Sequence, residues 1–188
     1  MSSHHIVREK QEPALLVLGL NNFTDDELGQ LLEWSPTVIA TLPVTEQLVA
    51  YGIKVDYMVA DDNELGLQSD IRLIDPAGQG ITEKALEFLT VNGYPAVNVV
   101  TDEPELSLYE QYAPKINLVI FHNRQKIYTV TSGYSKWKPA GESIAIMSSC
   151  PIEATGLEPA GPQSFQTVTD GFFSLKFEAP FVFIAEEI

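Results

Sequence analysis

Four polar residues follow one predicted buried strand and carry side chains of the kind that bind metal ions. The strand is the apolar segment Val55–Ala60, and Asp61, Asp62, Asn63 and Glu64 come directly after it. Ligands of open α/β sheets bind outside the carboxyl ends of the strands. Carboxylates at such a position hold Mg²⁺ together with phosphates and water. The segment therefore predicts a magnesium site, and a solvated acidic turn is the alternative that the residues by themselves leave open.

The charge of the chain limits its partners. Its 188 residues carry a formal net charge of −15 at pH 7, and 45% of them are hydrophobic. Nucleic acids and anionic membranes are bound by basic patches, so we expect neither as a partner. An anionic substrate would need a metal ion to offset the charge of the protein.

The cysteine and histidine content narrows the chemistry. The single cysteine, Cys150, excludes an intrachain disulfide and a cysteine zinc cluster. His4 and His5 fall in a predicted flexible tail, residues 1–13, which leaves His122 alone and argues against a histidine metal site. No run reaches the ~18 apolar residues of a membrane span. The tail lacks the apolar core of a signal peptide, so we expect a cytoplasmic protein.

Apolar runs alternate with helical patterns over residues 14–113. A capping box, Thr24 with Glu27 three residues later, starts the first helix, and Gly52 and Gly93 end two others. This pattern predicts a three-layer α/β domain with a mostly parallel sheet. The predicted strands are Ala14–Leu20, Thr37–Leu42, Val55–Ala60, Ile71–Ile74 and Ala96–Val100, and the later helices begin at Thr45, at Thr82 and at Asp102, the last running to about Tyr112.

From residue 114 onward the chain has no helical segment. Short apolar segments separated by Gly, Pro and turn residues are typical of a small β-sandwich. We therefore predict a domain boundary near residues 112–115, and a β-sandwich domain over residues 114–188. Its predicted strands are Asn117–Phe121, Lys126–Ser132 after the turn HNRQ, Glu142–Ser149, Phe165–Phe177 and Phe181–Glu187.

The short motifs of common enzyme classes are absent, but longer segments resemble one family. The chain has no GxxxxGK[ST], GxGxxG, GxSxG or HExxH segment. An α/β half followed by a sandwich half resembles the thiamin pyrophosphokinase family. Gly52–Leu65 resembles the family's Gly-Ile-x-Pro-Asp-x-x-x-Gly-Asp-x-Asp-Ser segment, and Gly78–Leu86 its Thr-Asp-Thr-Glu-x-Ala-Leu helix start. Pro139–Glu158 resembles its Gly-x-x-Ile-Ser-Leu strand with the following Thr-x-Gly-Leu, and Thr169–Glu187 its closing strand pair.

The resemblance implies a function and a set of site residues. Family members transfer a pyrophosphoryl group from ATP to the hydroxyl of thiamin with Mg²⁺. They are homodimers whose thiamin site lies between the α/β half of one subunit and the sandwich half of the other. The resemblance implies Asp61 and Glu83 as catalytic groups, with Asp61 also a metal ligand. Asp62 and Glu64 of the same acidic segment are further candidate metal ligands, and Asn63, Thr82, Trp137, Thr169 and Asp170 are candidate ligand contacts.

Two of these residues also have ordinary structural alternatives. Trp137 is a candidate for stacking on a cationic thiazolium ring, and its alternative is an aromatic side chain that packs on a sheet edge. Glu83 alternatively complements the dipole of the helix that it begins, which is the commoner role of an acidic residue there.

The chain differs from the family in the segments that bind the metal ion and begin the helix. Ala60 replaces the Gly of the metal segment, Asn63 its second Asp and Glu64 its Ser, and Ile81 stands where the helix start has Asp. Phosphoryl transfer depends on metal ions and cationic groups that neutralise charge. The loss of these carboxylates predicts a weakened Mg²⁺ site.

Two phosphate-binding segments of the family are also replaced. The Asp-Gly-Gly-Ala turn is here Leu42–Thr45, and the Gly-Gly-Arg-x-Asp-His segment is Thr101–Ser107. The first change removes close backbone approach to a phosphate, and the second removes a bidentate donor. Asp75 and Asp102, beside Asp62 and Glu64, are candidate replacement metal ligands.

Three hypotheses follow. The first ranked is a protein like thiamin pyrophosphokinase that binds a thiamin-like or nucleotide ligand at a dimer interface, with its kinase activity weakened or lost. The second is an active thiamin pyrophosphokinase that converts ATP and thiamin to thiamin diphosphate and AMP with a rearranged Mg²⁺ site. The third is a structural dimerisation protein without a small ligand.

Overall fold

The structure is a computed structural model that describes residues 12–61 and 70–188. The chain divides between Asn123 and Arg124 into two compact units. The elements described in the first unit are β1 (Ala14–Val17), α1 (Asp25–Leu32), β2 (Val38–Thr41), α2 (Leu42–Ala50), β3 (Tyr57–Val59), β4 (Arg72–Ile74), α3 (Ile81–Val91), β5 (Ala96–Val100), α4 (Leu106–Glu110) and β6 (Asn117–His122).

The first unit is built on a sheet with the strand order β4-β3-β2-β1-β5-β6. Every neighbouring pair in this sheet is parallel. Strand β1 is buried along its whole length, which explains why its sequence is a continuous apolar run and not an alternating one. Val17 and Val38 of the sheet form one hydrophobic cluster with Leu28 of α1 and Leu48 of α2.

The start of α1 and the ends of α2 and α3 confirm the local signals in the sequence. The Thr24 hydroxyl accepts a hydrogen bond from the Glu27 backbone N–H at 3.3 Å, and the Thr24 N–H donates to Glu27 Oε2 at 2.9 Å. Both halves of the predicted capping box are therefore formed. Gly52 and Gly93, just beyond α2 and α3, have φ values of 75° and 70°. This left-handed conformation favours glycine and ends a helix.

Helix α2 begins earlier than predicted. It starts at Leu42 with Thr41 as its N-cap, and Pro43 lies in its first turn. The prediction of a strand through Leu42 and a helix from Thr45 is therefore wrong by about one turn. Proline has a φ suited to the first turn of a helix and lacks the N–H that the first turn leaves unpaired. Strand β2 consequently passes directly into α2.

Helix α4 is shorter than predicted and has a different start. It spans Leu106–Glu110 with Glu105 as its N-cap. The prediction that Asp102 caps this helix and that it runs to about Tyr112 is wrong. Asp102 accepts hydrogen bonds from the connection that follows β1 instead, so its side chain is not available to cap a helix.

The second unit consists of strands and turns. Its described strands are β7 (Gln125–Val130), β8 (Tyr134–Lys138), β9 (Ser143–Met147), β10 (Glu153–Thr155), β11 (Leu157–Pro159), β12 (Ser164–Thr167), β13 (Gly171–Lys176) and β14 (Val182–Glu187). The sequence prediction did not name β8, β10 and β11, because short strands with polar residues have no clear apolar alternation. The predicted single strand Phe165–Phe177 is two strands, β12 and β13, with a turn between them.

Two antiparallel sheets form the second unit. One has the strand order β7-β14-β9-β12-β11 and the other the order β10-β13-β8. One hydrophobic cluster contains Ile144 and Ile184 of the first sheet and Phe173 and Leu175 of the second. The two sheets thus share a buried core, as in a β-sandwich.

The last strand before the division of the chain pairs within the first unit. Strand β6 is parallel to β5, from Ala96 opposite Asn117 to Val100 opposite Phe121. The sequence prediction placed the boundary near residues 112–115 and assigned this strand to the sandwich half. The parallel pairing explains why β6 belongs with the preceding elements.

No helix in residues 12–61 and 70–188 is both long enough and apolar enough to cross a membrane.

Candidate functional site

The first unit has a topological switch point at the carboxyl ends of β1 and β5. From β1 the chain proceeds through β2, β3 and β4 on one side, and then returns to place β5 and β6 on the other side. Connections that leave two neighbouring strands in opposite directions open a crevice, and ligands of open α/β sheets bind in such crevices. The residues that follow β1 and β5 are therefore the first place to look for a site.

Asp102 joins the two connections at this switch point. Its Oδ2 accepts a hydrogen bond from Asn21 Nδ2 at 2.8 Å, and its Oδ1 accepts one from the Asn22 backbone N–H at 3.2 Å. Its carboxylate also lies directly against Gly19, where an added Cβ would be 2.2 Å from Oδ2. Any side chain larger than hydrogen at residue 19 would displace this carboxylate. Asp102 thus bonds to a connection about 80 residues earlier in the chain.

His122 lies at the carboxyl end of β6, and both of its ring nitrogens have partners. Nδ1 is 3.1 Å from the Thr101 carbonyl oxygen, and Nε2 is 2.7 Å from Asn123 Nδ2. These contacts join His122, at the end of β6, to Thr101, which follows β5, and to the next residue of the chain.

The predicted metal ligands are only partly covered by the structure. Asp61 follows β3 at the same edge of the sheet and is exposed. Asp62, Asn63 and Glu64 lie outside the described residues. Within residues 12–61 and 70–188, no group of three or more His, Cys, Asp or Glu side chains is arranged to hold a metal ion.

Asp75, a predicted substitute ligand, has a local structural role. Its Oδ1 accepts a hydrogen bond from the Ala77 backbone N–H at 2.8 Å. A side chain that bonds to the backbone two residues later forms an Asx turn, which holds the chain as it leaves β4. The other predicted substitute, Asp102, is held by Asn21 and Asn22 as described above.

Thr82 and Glu83 lie in the first turn of α3. The Glu83 carboxylate packs over the N-cap residue Gly80, where an added Cβ would be 1.9 Å from Glu83 Oε2. This position suits the structural alternative, in which an acidic side chain complements the positive end of a helix. The Glu83 backbone carbonyl also accepts a hydrogen bond from the Tyr112 hydroxyl at 3.0 Å.

A polar groove runs beside α3 in the first unit. Its volume is about 810 Å³, and its lining includes Glu83, Glu87, Gln111, Tyr112 and Lys115. Burial and the nearby carboxylates of Glu87 and Glu83 raise the pKa of Tyr112. The tyrosine therefore stays protonated and keeps its hydrogen bond to Glu83.

Trp137 in the second unit belongs to an exposed aromatic pair. Trp137 of β8 is 52% exposed and Phe172 of β13 is 72% exposed, and the two are opposite each other in the antiparallel register. Opposite residues in neighbouring strands have Cβ atoms about 5 Å apart on one face of the sheet. The outer face of this sheet therefore presents two adjacent aromatic rings to the surroundings.

Thr169 and Asp170 lie in the turn that precedes Phe172. Asp170 Oδ1 accepts a hydrogen bond from the Ala140 backbone N–H at 2.8 Å, so it holds the turn that follows β8. Thr169 is exposed. The structure thus places these two residues just before Gly171, which is opposite Lys138 in the register.

A buried ionic cluster lies behind the same sheet. Glu186 of β14 is 1% exposed, and its carboxylate accepts hydrogen bonds from Lys136 Nζ at 2.7 and 2.8 Å and forms an ion pair with Lys138 Nζ at 3.1 Å. The Tyr128 hydroxyl donates a hydrogen bond to Glu186 and is 2.9 Å from the Tyr134 hydroxyl. Lys136 and Lys138 flank Trp137 in β8. The cluster therefore holds β8, the strand that presents Trp137.

The opposing effects on Glu186 leave its carboxyl charged. Burial acts to raise its pKa, but the hydrogen bonds from Lys136, Tyr128 and Lys138 outweigh burial and hold the pKa below its ordinary value of 4.5. Burial and the same carboxylate raise the pKa of Tyr128, which stays protonated. The cluster is thus a charged, hydrogen-bonded unit at neutral pH.

The residue patterns identified some of these positions and missed others. Asp61 and Asp102 were found because they follow predicted strands, and Thr82 and Glu83 through the resemblance of Gly78–Leu86 to the family's helix start. The partners of Asp102, Asn21 and Asn22, were not among the candidates, although two amides directly after a buried strand are a usable signal. Phe172 was missed because it lies in a long apolar segment. The sequence of such a segment does not show which of its side chains are exposed until the strand register is known.

Comparison with known structures identifies the fold. No protein-family model and no curated protein matches the chain. The thiamin pyrophosphokinase from Bacillus subtilis has a TM-score of 0.65 at 12% identity, over 94% of this chain and 99% of its own. The yeast enzyme has a TM-score of 0.69 at 10% identity, over 97% and 88%. The enzyme from Candida albicans has a TM-score of 0.65 at 12% identity, over 94% and 89%.

These matches confirm the predicted resemblance at the level of fold. The strands and helices of this chain follow those of thiamin pyrophosphokinases along almost its whole length, while identities of 10–14% mark a distant relation.

Proposed function

Starting from a thiamin pyrophosphokinase fold, we propose that this chain binds a thiamin-like ligand at a homodimer interface and that its pyrophosphoryl transfer is weakened or lost. The observation that carries the proposal is the exposed pair of Trp137 and Phe172 on one sheet face. The protein is expected to act in the cytoplasm, without nucleic acid or membrane as a partner.

The aromatic pair suits a cationic ring. The π face of tryptophan attracts cations that lie within about 6 Å of the ring, and a thiazolium is a flat cation. The net charge of −15 favours the approach of a cation over that of an anion. Exposed neighbouring aromatic side chains are also typical of surfaces that are covered by a ligand or a partner subunit.

The connection that follows β2 at the carboxyl edge of the parallel sheet supports the proposal that pyrophosphoryl transfer is weakened or lost. Strand β2 passes into α2 at Leu42 without a loop, and Pro43 removes one backbone N–H from the first turn. A Gly-rich turn would offer several N–H donors to a phosphate at this place. The chain therefore lacks one of the means by which phosphoryl transfer is promoted.

The first test uses the fluorescence of a single tryptophan. The chain contains two tryptophans, Trp34 and Trp137, and Trp34 is 67% exposed in the other unit. In Trp34→Phe, where Trp137 is the only tryptophan, we expect thiamin to quench the emission with saturation. In the matched control Trp137→Phe, the remaining Trp34 should show only the linear, unsaturated quenching of a collisional process. Equal behaviour of the two variants would contradict the proposed site.

An active enzyme is the second candidate, and one observation favours it. Asp61 remains at the carboxyl end of β3, where a metal ligand is expected. The measurement is AMP formation from ATP and thiamin with Mg²⁺. Activity that is lost in Asp61→Asn and kept in Asp26→Asn, an exposed aspartate of α1, would establish this candidate in place of the first.

The third candidate, a structural dimerisation protein, predicts that no small ligand changes the stability. A ligand that binds only the folded state raises the free energy of unfolding by about 2.7 kcal/mol at 100 times its dissociation constant. Thermal unfolding with thiamin, thiamin diphosphate and ATP, each with and without Mg²⁺, therefore separates the candidates. An unchanged melting temperature in every one of these mixtures would favour the structural protein.

A further inference from the structure

We propose that Asp102 determines the ligand class of the switch-point crevice: its carboxylate occupies the place of a ligand anion, so the crevice accepts neutral or cationic groups and rejects phosphates. The inference goes beyond the proposed function, because Asp102 lies in the first unit and the aromatic pair in the second. It is argued only from the contacts and charges around Asp102.

The donors at the crevice are already used by the protein. The Asn22 backbone N–H and the Asn21 side-chain amide both donate to the Asp102 carboxylate, at 3.2 and 2.8 Å. Backbone N–H groups at the start of a strand-to-helix connection are the donors that bind phosphates in open α/β sheets. A phosphate at this place would have to displace Asp102 before it could receive either hydrogen bond.

The space nearest to the strand end is also filled. The Asp102 carboxylate lies so close to Gly19 that a Cβ added to the glycine would be 2.2 Å from Oδ2 and 2.7 Å from Cγ. Glycine allows other groups to approach the backbone closely. Here the group that makes the close approach is a side chain of the protein, which leaves no equivalent approach for a ligand anion.

The basic side chains in the described part of the first unit are not placed to compensate for a phosphate at the crevice. The basic side chains in the described part of the first unit are Lys54, Arg72, Lys84 and Lys115. Lys54, Arg72 and Lys115 precede or begin β3, β4 and β6, and therefore lie at the amino edge of the sheet. Lys84 forms an ion pair with Glu87 at 3.1 Å.

The acidic groups at the carboxyl edge act in the same direction. Asp61, Asp75, Asp102 and Glu103 follow strands β3, β4 and β5 at this edge. Negative side chains at this edge repel a further anion. Both these charges and the contacts of Asp102 therefore disfavour the binding of a phosphate.

The test titrates the protein with inorganic pyrophosphate and follows backbone amide resonances by NMR. In the wild type we expect no saturable shift of the Asn22 amide. In Asp102→Ser, which frees both donors and removes one negative charge, we expect a saturable shift of the Asn21 and Asn22 amides and an affinity for pyrophosphate at least about tenfold higher. The matched control is Glu103→Ser, which removes the same charge from the next residue without a contact to Asn21 or Asn22.

The outcomes separate this inference from the proposed function. A saturable Asn22 shift in the wild type overturns the inference, as does an Asp102→Ser response no larger than that of Glu103→Ser. If Asp102→Ser does not fold, Asp102→Asn is the second variant, because it retains the packing on Gly19 and removes only the charge. It should bind pyrophosphate more tightly than the wild type does. An affinity no higher than that of the wild type would also overturn the inference. Failure of thiamin to quench Trp137 would count against the proposed function alone, because pyrophosphate binding does not involve that tryptophan.

Discussion

At the scale of single residues, the least expected feature is a charge in the interior of the second unit. Glu186 is 1% exposed and follows four apolar residues in β14, just before the exposed Glu187 that ends the strand. A buried carboxylate is tolerated only when it is paired and hydrogen-bonded, and Lys136, Lys138 and Tyr128 provide these partners. The cluster therefore connects β14 to β8 through charges instead of apolar contacts.

Replacement of Glu186 should destabilise the second unit strongly. In Glu186→Gln, Lys136 loses its counter-charge and Lys138 keeps only Glu142, at 3.4 Å. Removal of one partner of a buried ion pair costs about 3–5 kcal/mol. We expect the lower end of this range, about 3 kcal/mol, because the Lys136 side chain is 32% exposed and keeps some solvation. Urea denaturation at pH 7 measures the loss. The matched control Glu187→Gln changes the exposed neighbouring residue of the same strand and should be nearly neutral.

The same residue predicts a pH dependence. Because the pKa of Glu186 is lower in the folded state than its ordinary value of 4.5, its contribution to stability is present above that value. The contribution is lost as the pH falls through the folded-state pKa. The difference in unfolding free energy between the wild type and Glu186→Gln should therefore be constant near neutral pH and shrink below about pH 4.5. A difference that grows on acidification would contradict this assignment.

At the scale of secondary-structure elements, two glycines show how position decides the effect of one substitution. Gly29 lies within α1, and nothing is within 4 Å of the place of an added Cβ. Gly156 precedes β11 with φ of 75°, and an added Cβ would be 2.9 Å from the Phe172 carbonyl oxygen. The first glycine costs helix stability, and the second permits a close backbone approach beside the aromatic pair.

The two glycines predict opposite effects of alanine. Gly29→Ala should raise the free energy of unfolding by roughly 0.5–1 kcal/mol, because alanine has less backbone freedom to lose in a helix. Gly156→Ala should lower it by at least about 1 kcal/mol, since both the positive φ and the contact with Phe172 oppose a side chain. Thermal and urea unfolding of both variants against the wild type measure the two changes. Changes of the same sign would show that the local geometry of one of the two glycines is not as described.

At the scale of the whole molecule, the dominant property is charge. The formal net charge is −15 on 188 residues, so the acidic side chains repel one another in the folded protein. The described residues form five ion pairs with one another, of which Lys54 with Asp56 is the most exposed. Exposed pairs contribute little to stability, so repulsion outweighs them.

Added salt should therefore stabilise the protein. Screening weakens repulsion between exposed charges more than a Debye length apart, about 10 Å at 0.1 M ionic strength. We expect the melting temperature to rise by a few degrees when KCl is increased from low to moderate concentration. Sodium chloride at the same ionic strength should produce an equal rise, because screening does not depend on the cation. A falling melting temperature would show that attractive surface pairs dominate instead.

The sequence alone determined the elements whose signals are local. The capping box of Thr24 and Glu27, the helix ends at Gly52 and Gly93 and the buried strand β1 all depend on residues within one or two turns of each other. The alternation of these elements and the resemblance of longer segments indicated the fold that the comparisons confirm. Errors occurred at boundaries, as at Leu42 and at Asp102, where a neighbouring proline or a distant partner overrides local preference.

Only the tertiary structure decided which residues meet. Asp102 bonds to Asn21 and Asn22, about 80 positions earlier, and Glu186 meets Lys136 across 50 positions. Trp137 and Phe172 are neighbours because the register of β8 and β13 places them opposite each other. The physical reason is that strand order and register, which bring distant residues together, depend on the packing of the whole core, whereas propensities and caps depend on a few adjacent residues.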